Sequence, residues 1–216
     1  MFSFFKSGKN KQENKPGALK STYYVRENLI HNVNDLLKII NPTKPPKLVE
    51  GHTSEEIRFK GMLLNDLNEK GIISKMGSPI YIHDNGKYLE GHRVLFYKEQ
   101  VEHYTFLVQF HFVDSQFFLV SNQISSTAML SHKDKIKVIN QLKRKYLDGA
   151  GLEEETYNLR ITDIDKNIIF TSDVMYFYVN YLCNCSIKNK LLKRYSNTEI
   201  IEETDASFED TLDKLF

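Results

Sequence analysis

Three stretches of the chain repeat apolar residues at helical spacing. The first covers residues 24–40. The second covers residues 53–71 and opens with Thr53 and Glu56 in a capping-box pattern, in which each side chain satisfies an amide at the helix start. The third covers residues 133–147. The pattern therefore predicts three helices.

Between the second and third predicted helices, the apolar period changes from helical to alternating. Asp84-Asn85-Gly86 and Asp114-Ser115 are turn sequences, and a further turn is predicted at residues 98–100. The predicted strands of this antiparallel meander cover residues 79–83, 87–97, 101–113 and 116–120. The apolar face of the longest strand consists of Tyr104, Phe106, Val108, Phe110 and Phe112.

Two or three further strands are predicted after the third helix. Residues 157–164 and 168–170 lie on either side of a turn, and residues 174–182 are rich in aromatic and β-branched side chains. The predicted fold class is α+β: an antiparallel sheet of six to seven strands in a meander, with helices packed on one face.

The two ends of the chain differ in composition from its middle. Residues 1–22 place lysines among Gly, Asn, Gln and Pro, which predicts a flexible basic N-terminal tail. Residues 23–186 are predicted to form a single α+β domain. Residues 187–216 are basic and then acidic, which predicts a C-terminal tail with a short amphipathic end.

Composition and charge narrow the function classes. The 216 residues are 41% hydrophobic, enough to bury a core, and a net charge of +1 provides no overall field that would collect nucleic acid. The N-terminus lacks the pattern of a signal peptide, and no apolar run reaches the roughly 18 residues of a transmembrane span. We therefore expect a cytoplasmic protein without a nucleic-acid partner.

The seven histidines do not form a pattern of metal ligands. His103 and His111 share a strand face but lie roughly 27 Å apart along it, whereas a metal ion needs its ligands within about 2.1 Å. With a turn at residues 98–100, His92 is predicted to lie nearer Leu107 than either histidine. We predict solvent-facing or half-buried sheet histidines, and neither a metal nor a cofactor.

The sequence contains no motif of an enzyme. It has no nucleophile elbow, no phosphate-binding loop and no dinucleotide-binding glycine pattern. Cys183 and Cys185 are one residue apart, without the spacing of a redox or zinc motif, and are predicted to be free thiols near a strand end. Asp84, Asp114 and Asp165 are interpreted as turn residues.

Both termini carry aromatic residues that could bind something outside the domain. Phe2, Phe4 and Phe5 precede lysines, which suggests a weak anchor at the inner face of a membrane; the alternative is an N-terminus without that role. At the other end, residues 208–216 could form a short amphipathic helix that docks in a groove of a partner or of the protein itself. Its apolar side consists of Phe208, Leu212, Leu215 and Phe216.

The order of helix, antiparallel meander, helix and further strands over residues 54–185 is similar to that of type III secretion chaperones. The resemblance implies a fold, and it rests on the predicted elements alone. The leading hypothesis is a non-enzymatic protein-binding module: an adaptor, a chaperone-like accessory factor or an immunity-type protein. The alternatives are an enzyme or small-ligand-binding domain whose site is formed in three dimensions, and a peripheral membrane component anchored by the N-terminal Phe cluster.

Overall fold

The computed structural model describes residues 16–127, 129–149, 156–173 and 175–195. The strands are β1 (Val49–His52), β2 (Arg58–Phe59), β3 (Met62–Leu63), β4 (Tyr81–Asp84), β5 (His92–Val101), β6 (Tyr104–Val113), β7 (Gln116–Ser126), β8 (Leu159–Thr162), β9 (Ile168–Asp173) and β10 (Phe177–Leu182). The helices are α1 (Pro16–Arg26), α2 (Val33–Ile40), α3 (Glu69–Met76), α4 (His132–Tyr146) and α5 (Ser186–Arg194), with a 3-10 helix at Leu64–Asp66.

Eight of the strands form one sheet with the order β1-β8-β9-β10-β7-β6-β5-β4. β1 pairs in parallel with β8, and the other neighbouring pairs are antiparallel. The predicted meander is present as β4 to β7, and the later strands continue the sheet from the open edge of β7. The described sheet is larger than the six to seven strands predicted, because the short β1 around Gly51 has no alternating pattern.

The sheet has two covered faces, which we call the front face and the back face. The front face carries the apolar side of β6, including Phe110 and Phe112. It packs against α3, α4 and the β2–β3 hairpin through Ile72, Ile139 and Phe59. The front face is thus the apolar core that the alternating pattern predicts.

The back face is covered by the other three helices. Leu36 of α2 and Leu191 of α5 pack with Phe118 in one apolar cluster, and Tyr24 of α1 packs with Phe96 in another. The prediction of helices on one face is therefore wrong. The reason is that this side of β6 carries polar residues such as Gln109, and polar residues on one side of a strand normally indicate a face that is open to water.

The predicted helix over residues 24–40 is interrupted, so that α1 and α2 are separate helices. The Asn28 side chain both donates to Ile30 O at 2.6 Å and accepts from Ile30 N at 3.3 Å, which replaces helical hydrogen bonds with a local turn. Asn32 then caps α2 by accepting from Asp35 N at 3.0 Å.

The predicted helix over residues 53–71 is wrong. Ile57 N donates to a carboxylate oxygen of Asp163 at 3.0 Å, which ties this segment to the turn between β8 and β9. Lys60 and Gly61 have φ values of 48° and 77° and form the tight turn between β2 and β3. Tertiary contacts have therefore overridden the local capping-box signal.

The turn between β5 and β6 also differs from the prediction. It lies at Glu102 and His103 instead of residues 98–100, with Glu102 at a φ of 54°. The shift pairs His92 with Val113 and Val94 with His111. By contrast, the predicted turn at Asp114 and Ser115, with φ values of 49° and 62°, and the predicted third helix, now α4, are confirmed.

Helices occupy parts of the predicted tails. α1 begins at Pro16, within the predicted N-terminal tail of residues 1–22. α5 lies at the start of the predicted C-terminal tail of residues 187–216, where it buries Ile187 and Leu191. Residues 1–15 and 196–216 lie outside the described part of the chain.

Candidate functional site

An apolar groove of about 420 Å³ lies between α4 and the front face of the sheet. We call it the α4 groove. The strands β6, β7 and β10 form its floor, and α4 forms one wall. Its apolar lining consists of Phe106, Ile124, Leu130, Val138, Leu142 and Val179, and its polar lining of Tyr104, Asn122, Asp134, Lys137, Gln141 and Tyr181.

The sequence of α4 explains why this wall stands beside the sheet. Ser131 caps the helix by accepting from Asp134 N at 3.2 Å, and Ile139 and Tyr146 are buried against the front face. Lys135 reaches the Asp173 carboxylate at 2.7 Å, where both side chains are largely shielded from water. The helix is therefore fixed to the sheet at its start and along its length.

The outer side of α4 is basic. Lys133, Lys137, Arg144 and Lys145 are exposed, and Lys137 also lines the α4 groove. Lys137 pairs with Asp134 at 3.3 Å on the helix surface, where such a pair contributes little stability. An occupant of the groove would thus meet apolar side chains beneath it, the Lys137–Asp134 pair at the rim, and further positive charge on the outer side of α4.

Three polar groups in the groove differ in how they are satisfied. Hydrogen bonds from Ser131 and then from Tyr104 lower the pKa of Asp134, so this carboxylate stays ionised at the rim. Burial raises the pKa of Tyr181, which keeps its hydroxyl protonated. The Asn122 Oδ1 atom is buried and accepts no hydrogen bond.

Large apolar side chains are exposed at the same end of the sheet. Val101 is 56% exposed, Met129 84% and Met175 77%. Val101 lies opposite the groove residue Tyr104 in the β5–β6 register. Met129 directly precedes the groove residue Leu130. Met175 lies just before β10, whose first residue pairs with Ile124 of the groove floor. All three lie at the same end of the sheet as the groove, and flexible Met side chains are frequent at surfaces that bind proteins.

A second recess, of about 460 Å³, lies at the β1 edge of the sheet and is polar. Its lining includes Glu50, His52 and Lys145. Glu50 is already bound by Lys44 at 2.8 Å and Arg160 at 3.3 Å, so its carboxylate serves the edge strand. No convergent set of groups for binding or catalysis is evident among these described residues.

His92 and His111 lie under the back-face helices, almost fully buried. His92 Nε2 and His111 Nδ1 are 3.1 Å apart, and the two rings are nearly coplanar. Burial and then the neighbouring His83 lower the pKa of His92 to about 3. The prediction of solvent-facing or half-buried histidines is wrong for this pair, whereas His103 is exposed in the β5–β6 turn.

Other polar side chains on the back face hold the connection between α1 and α2. Gln109 Oε1 accepts from Leu29 N at 2.9 Å, and Gln109 Nε2 donates to Glu27 O at 2.6 Å. Gln123 Nε2 donates to the Glu27 carboxylate at 3.2 Å. Gln109 is fully buried and Gln123 nearly so, and their hydrogen bonds fix this connection to the sheet.

The two cysteines are free thiols at the end of β10, as predicted. The hydrogen bond from Cys183 and the amides at the start of α5 lower the pKa of Cys185 to about 7. Cys185 Sγ lies 3.2 Å from Phe117 O, and Cys183 Sγ lies 3.3 Å from Asn65 Oδ1. Both thiols thus satisfy local polar atoms while packing on the apolar core.

The residues that the sequence proposed for binding lie outside the described part of the chain. This applies to the N-terminal Phe2, Phe4 and Phe5 and to the C-terminal Phe208, Leu212, Leu215 and Phe216. Both assignments stay predictions. The α4 groove was not predicted, although its floor residues Tyr104 and Phe106 belong to the apolar face read from the sequence. The sequence feature that could have indicated the groove is the row of lysines beside the apolar stripe of α4.

Comparison with known proteins does not assign the chain to a family. No family model matches the chain, and no similar curated protein or solved structure was found. Within residues 16–127, 129–149, 156–173 and 175–195, no three His, Cys, Asp or Glu side chains are grouped as a metal site. In those same ranges, no helix is long and apolar enough to span a membrane.

Proposed function

We propose that the chain is a non-enzymatic protein-binding module whose α4 groove receives an acidic, amphipathic segment of a partner protein. The observation that carries the proposal is the combination of an apolar groove with a basic helix along its rim.

The apolar part of the occupant follows from the groove lining. Ile124, Leu142 and Val179 offer no hydrogen bonds from their side chains, so they favour Phe, Leu or similar residues of the partner. Val101, Met129 and Met175 give such a segment further apolar contact beyond the groove. This arrangement supports the helix-in-groove mode of recognition, in which a few apolar side chains on one helix face provide the contacts.

The charge of the occupant follows from the rim. Lys133, Lys137 and Arg144 are exposed on α4, so a segment with Asp or Glu on its outer side is favoured over a basic one. Opposite charge at a rim mainly accelerates association and selects the partner, while the apolar contacts supply most of the affinity.

Residues 208–216 of the chain itself carry this pattern in sequence: Phe208, Leu212, Leu215 and Phe216 are apolar, and the intervening positions include two Asp and one Glu. A labelled peptide of these nine residues is therefore a suitable probe. We expect saturable fluorescence anisotropy when it is titrated with protein truncated after residue 207. A peptide with lysine at its three acidic positions should bind at least about tenfold more weakly.

The groove is tested with matched charge reversals. Lys137→Glu should weaken peptide binding about tenfold, because it reverses the rim charge. Lys38→Glu makes the same change on exposed α2, across the sheet, and should leave affinity unchanged. Equal affinity of both variants, or no saturable binding of the acidic peptide, would contradict the proposal.

The full-length protein distinguishes the two ways in which the C-terminal segment could act. If it occupies its own groove, the full-length protein should bind the peptide more weakly than the truncated one, because the two compete. If the segment instead docks on a partner, both proteins should bind the peptide equally. Either result is compatible with the groove, since the truncated protein alone tests whether the groove accepts such a segment.

A further inference from the structure

Asn85, His92 and His111 form a buried chain of hydrogen bonds on the back face. Asn85 Nδ2 lies 3.2 Å from His92 Nδ1, and His92 Nε2 lies 3.1 Å from His111 Nδ1. All three side chains belong to residues that are almost fully buried. The chain runs from the end of β4 across β5 to β6, beneath the α1–α2 layer, by which we mean α1, α2 and the connection between them.

Asn85 connects the histidine pair to the α1–α2 layer. Its Nδ2 atom lies 3.1 Å from Ile30 O and 3.3 Å from His31 O, both in the connection between α1 and α2. Two carbonyl oxygens beside the same nitrogen fix the orientation of the amide, because a carbonyl can only accept. The amide nitrogen must therefore also face His92.

This orientation fixes the tautomers of both rings. His92 Nδ1 faces a donor and must accept, so the proton of neutral His92 is on Nε2, which donates to His111 Nδ1. Neutral His111 then carries its proton on Nε2, and that atom is buried without a partner. The hydrogen bonds from Asn85 to His92 and from His92 to His111 can form together only when both imidazoles are neutral.

A proton on either ring breaks this pattern. Imidazolium donates from both nitrogens, so a charged His92 would direct an N–H at the amide N–H groups of Asn85. Rotating the amide by half a turn would present its oxygen to His92, but it would also place that oxygen against Ile30 O and His31 O, which would lose their donor, the Nδ2 atom. A charged His111 would likewise direct an N–H at the Nε2–H of His92.

The groups around the pair give no compensation for positive charge. A titratable group that β4 places near the pair is His83, which hydrogen-bonds Asn85 and lowers the pKa of His92. The α1–α2 connection places His31 near His83. Asp84 lies beside His83, and Asp35 accepts from the His31 backbone amide at 2.9 Å. The centroid of the Phe118 ring, on β7, lies 6.4 Å from that of His92 and 6.1 Å from that of His111. The residues that α2 and α5 add to this cluster are apolar: Leu36, Leu37, Ile40, Ile187 and Leu191.

We propose that the Asn85–His92–His111 chain is an acid-sensitive latch, which holds the α1–α2 layer on the sheet while both rings are neutral and releases it when they take up protons. The latch lies on the opposite face of the sheet from the α4 groove, and the proposal does not depend on a function of that groove.

The sign of the pH dependence follows from the neutral state of the closed latch. Burial lowers the pKa of both rings, to about 3 for His92, whereas a released histidine titrates near 6.5. The closed state is therefore fully favoured above about pH 6.5 and loses stability as the pH falls from 6.5 towards 3. In this pH window, each histidine shifts the equilibrium between the closed and the released latch by at most about tenfold for each pH unit.

Amide hydrogen exchange of the full-length protein tests the latch. Exchange is measured at about pH 7.5 and about pH 5 and corrected for its intrinsic pH dependence. We expect the protection of residues 23–40 to fall at least about tenfold more than that of the β6–β7 hairpin. Equal loss in both regions, or no loss at about pH 5, would overturn the proposal.

A variant without one titrating ring provides the specific control. In His92→Gln, the amide can accept from Asn85 and donate to His111 without titrating, so the acid-induced loss of protection should be at least about fivefold smaller than in the parent. The matched variant His103→Gln removes an exposed histidine and should respond like the parent. Equal responses of the two variants would contradict the latch.

Ring NMR of the unmodified protein keeps the proposal testable if His92→Gln does not fold. Nitrogen-15 spectra distinguish the two neutral tautomers from imidazolium. We expect both rings to be neutral with the proton on Nε2 at about pH 6, where an ordinary histidine is largely charged. A charged His92 or His111 in protein whose residues 23–40 remain fully protected would refute the mechanism.

Discussion

The front and back faces of the sheet both bury large apolar residues, but they hold their helices in different ways. On the front face, Phe59, Phe110 and Ile139 belong to one continuous apolar cluster. On the back face, two apolar clusters are accompanied by buried polar side chains such as Gln109 and His111. Burial of apolar surface therefore dominates on the front, whereas the back adds hydrogen bonds whose partners must all be present.

This difference indicates which side chains determine the positions of the helices. Apolar packing tolerates substitutions of similar volume, while a buried polar side chain without its partner is costly. The connection between α1 and α2 has one position that satisfies both Gln109 and Asn85. The polar groups of the back face thus determine where its helices lie.

The largest expected effect is on the front face. Phe110→Ala removes a fully buried ring that packs edge-on against Phe59 and Tyr97, and should lower the free energy of unfolding by about 3–5 kcal/mol. Chemical denaturation measures this change. Val101→Ala, at an exposed position, should change it by less than about 0.5 kcal/mol. A loss below about 1 kcal/mol for Phe110→Ala would mean that the front face is not the core.

A smaller effect is expected on the back face. Gln109→Leu introduces an apolar side chain of similar size and leaves Leu29 N–H and Glu27 C=O without their partner. Stranding buried groups costs about 1–3 kcal/mol each, and we expect a total loss of about 2–4 kcal/mol by urea denaturation. If the variant were as stable as the parent, the contrast between the two faces would be unsupported.

Apart from the Val101→Ala control, the smallest effect is expected for the equivalent change on the front face. Asn122 Oδ1 has no partner to lose, so Asn122→Leu should alter the free energy of unfolding by less than about 1 kcal/mol or increase it. The comparison with Gln109→Leu uses the same denaturation assay. A loss as large as that of Gln109→Leu would show that Asn122 has a structural role which its contacts do not indicate.

Local sequence predicted the elements whose signals are local. The cap at Ser131 and the apolar stripe of Ile139, Leu142 and Tyr146 specify α4, and Asp114-Ser115 specifies the β6–β7 turn. The later strands were found from their aromatic and β-branched residues. These assignments needed no knowledge of distant partners.

The errors concern residues whose structure depends on distant contacts. His111 was predicted to be solvent-facing or half-buried, because alternation cannot show that helices cover the second face. The partners of Gln109 are backbone atoms of Leu29 and Glu27, about eighty positions earlier. Likewise, the Ile57 amide bonds Asp163, far along the chain, and the predicted helix is replaced by a hairpin.

The α4 groove was accessible to prediction only in part. Tyr104 and Phe106 were assigned to the apolar face of β6, and the lysines of α4 are evident in the sequence. The groove exists because α4 and the sheet do not fill the space between them, and no periodicity encodes that gap. The buried pairing of His92 with His111 was missed because the strand turn is displaced from the predicted position.

The parallel pairing of β1 with β8 imposes an order on folding during synthesis. The meander from β4 to β7 can close once Ser126 has left the ribosome, but β1 has no strand partner until Thr162 has been made. The outer edge of β7 also has no neighbour until β10, which ends at Leu182, has been made. A long unpaired strand is prone to pair with other chains. The nascent protein is therefore most vulnerable to misassembly after the meander has closed and before β10 is complete.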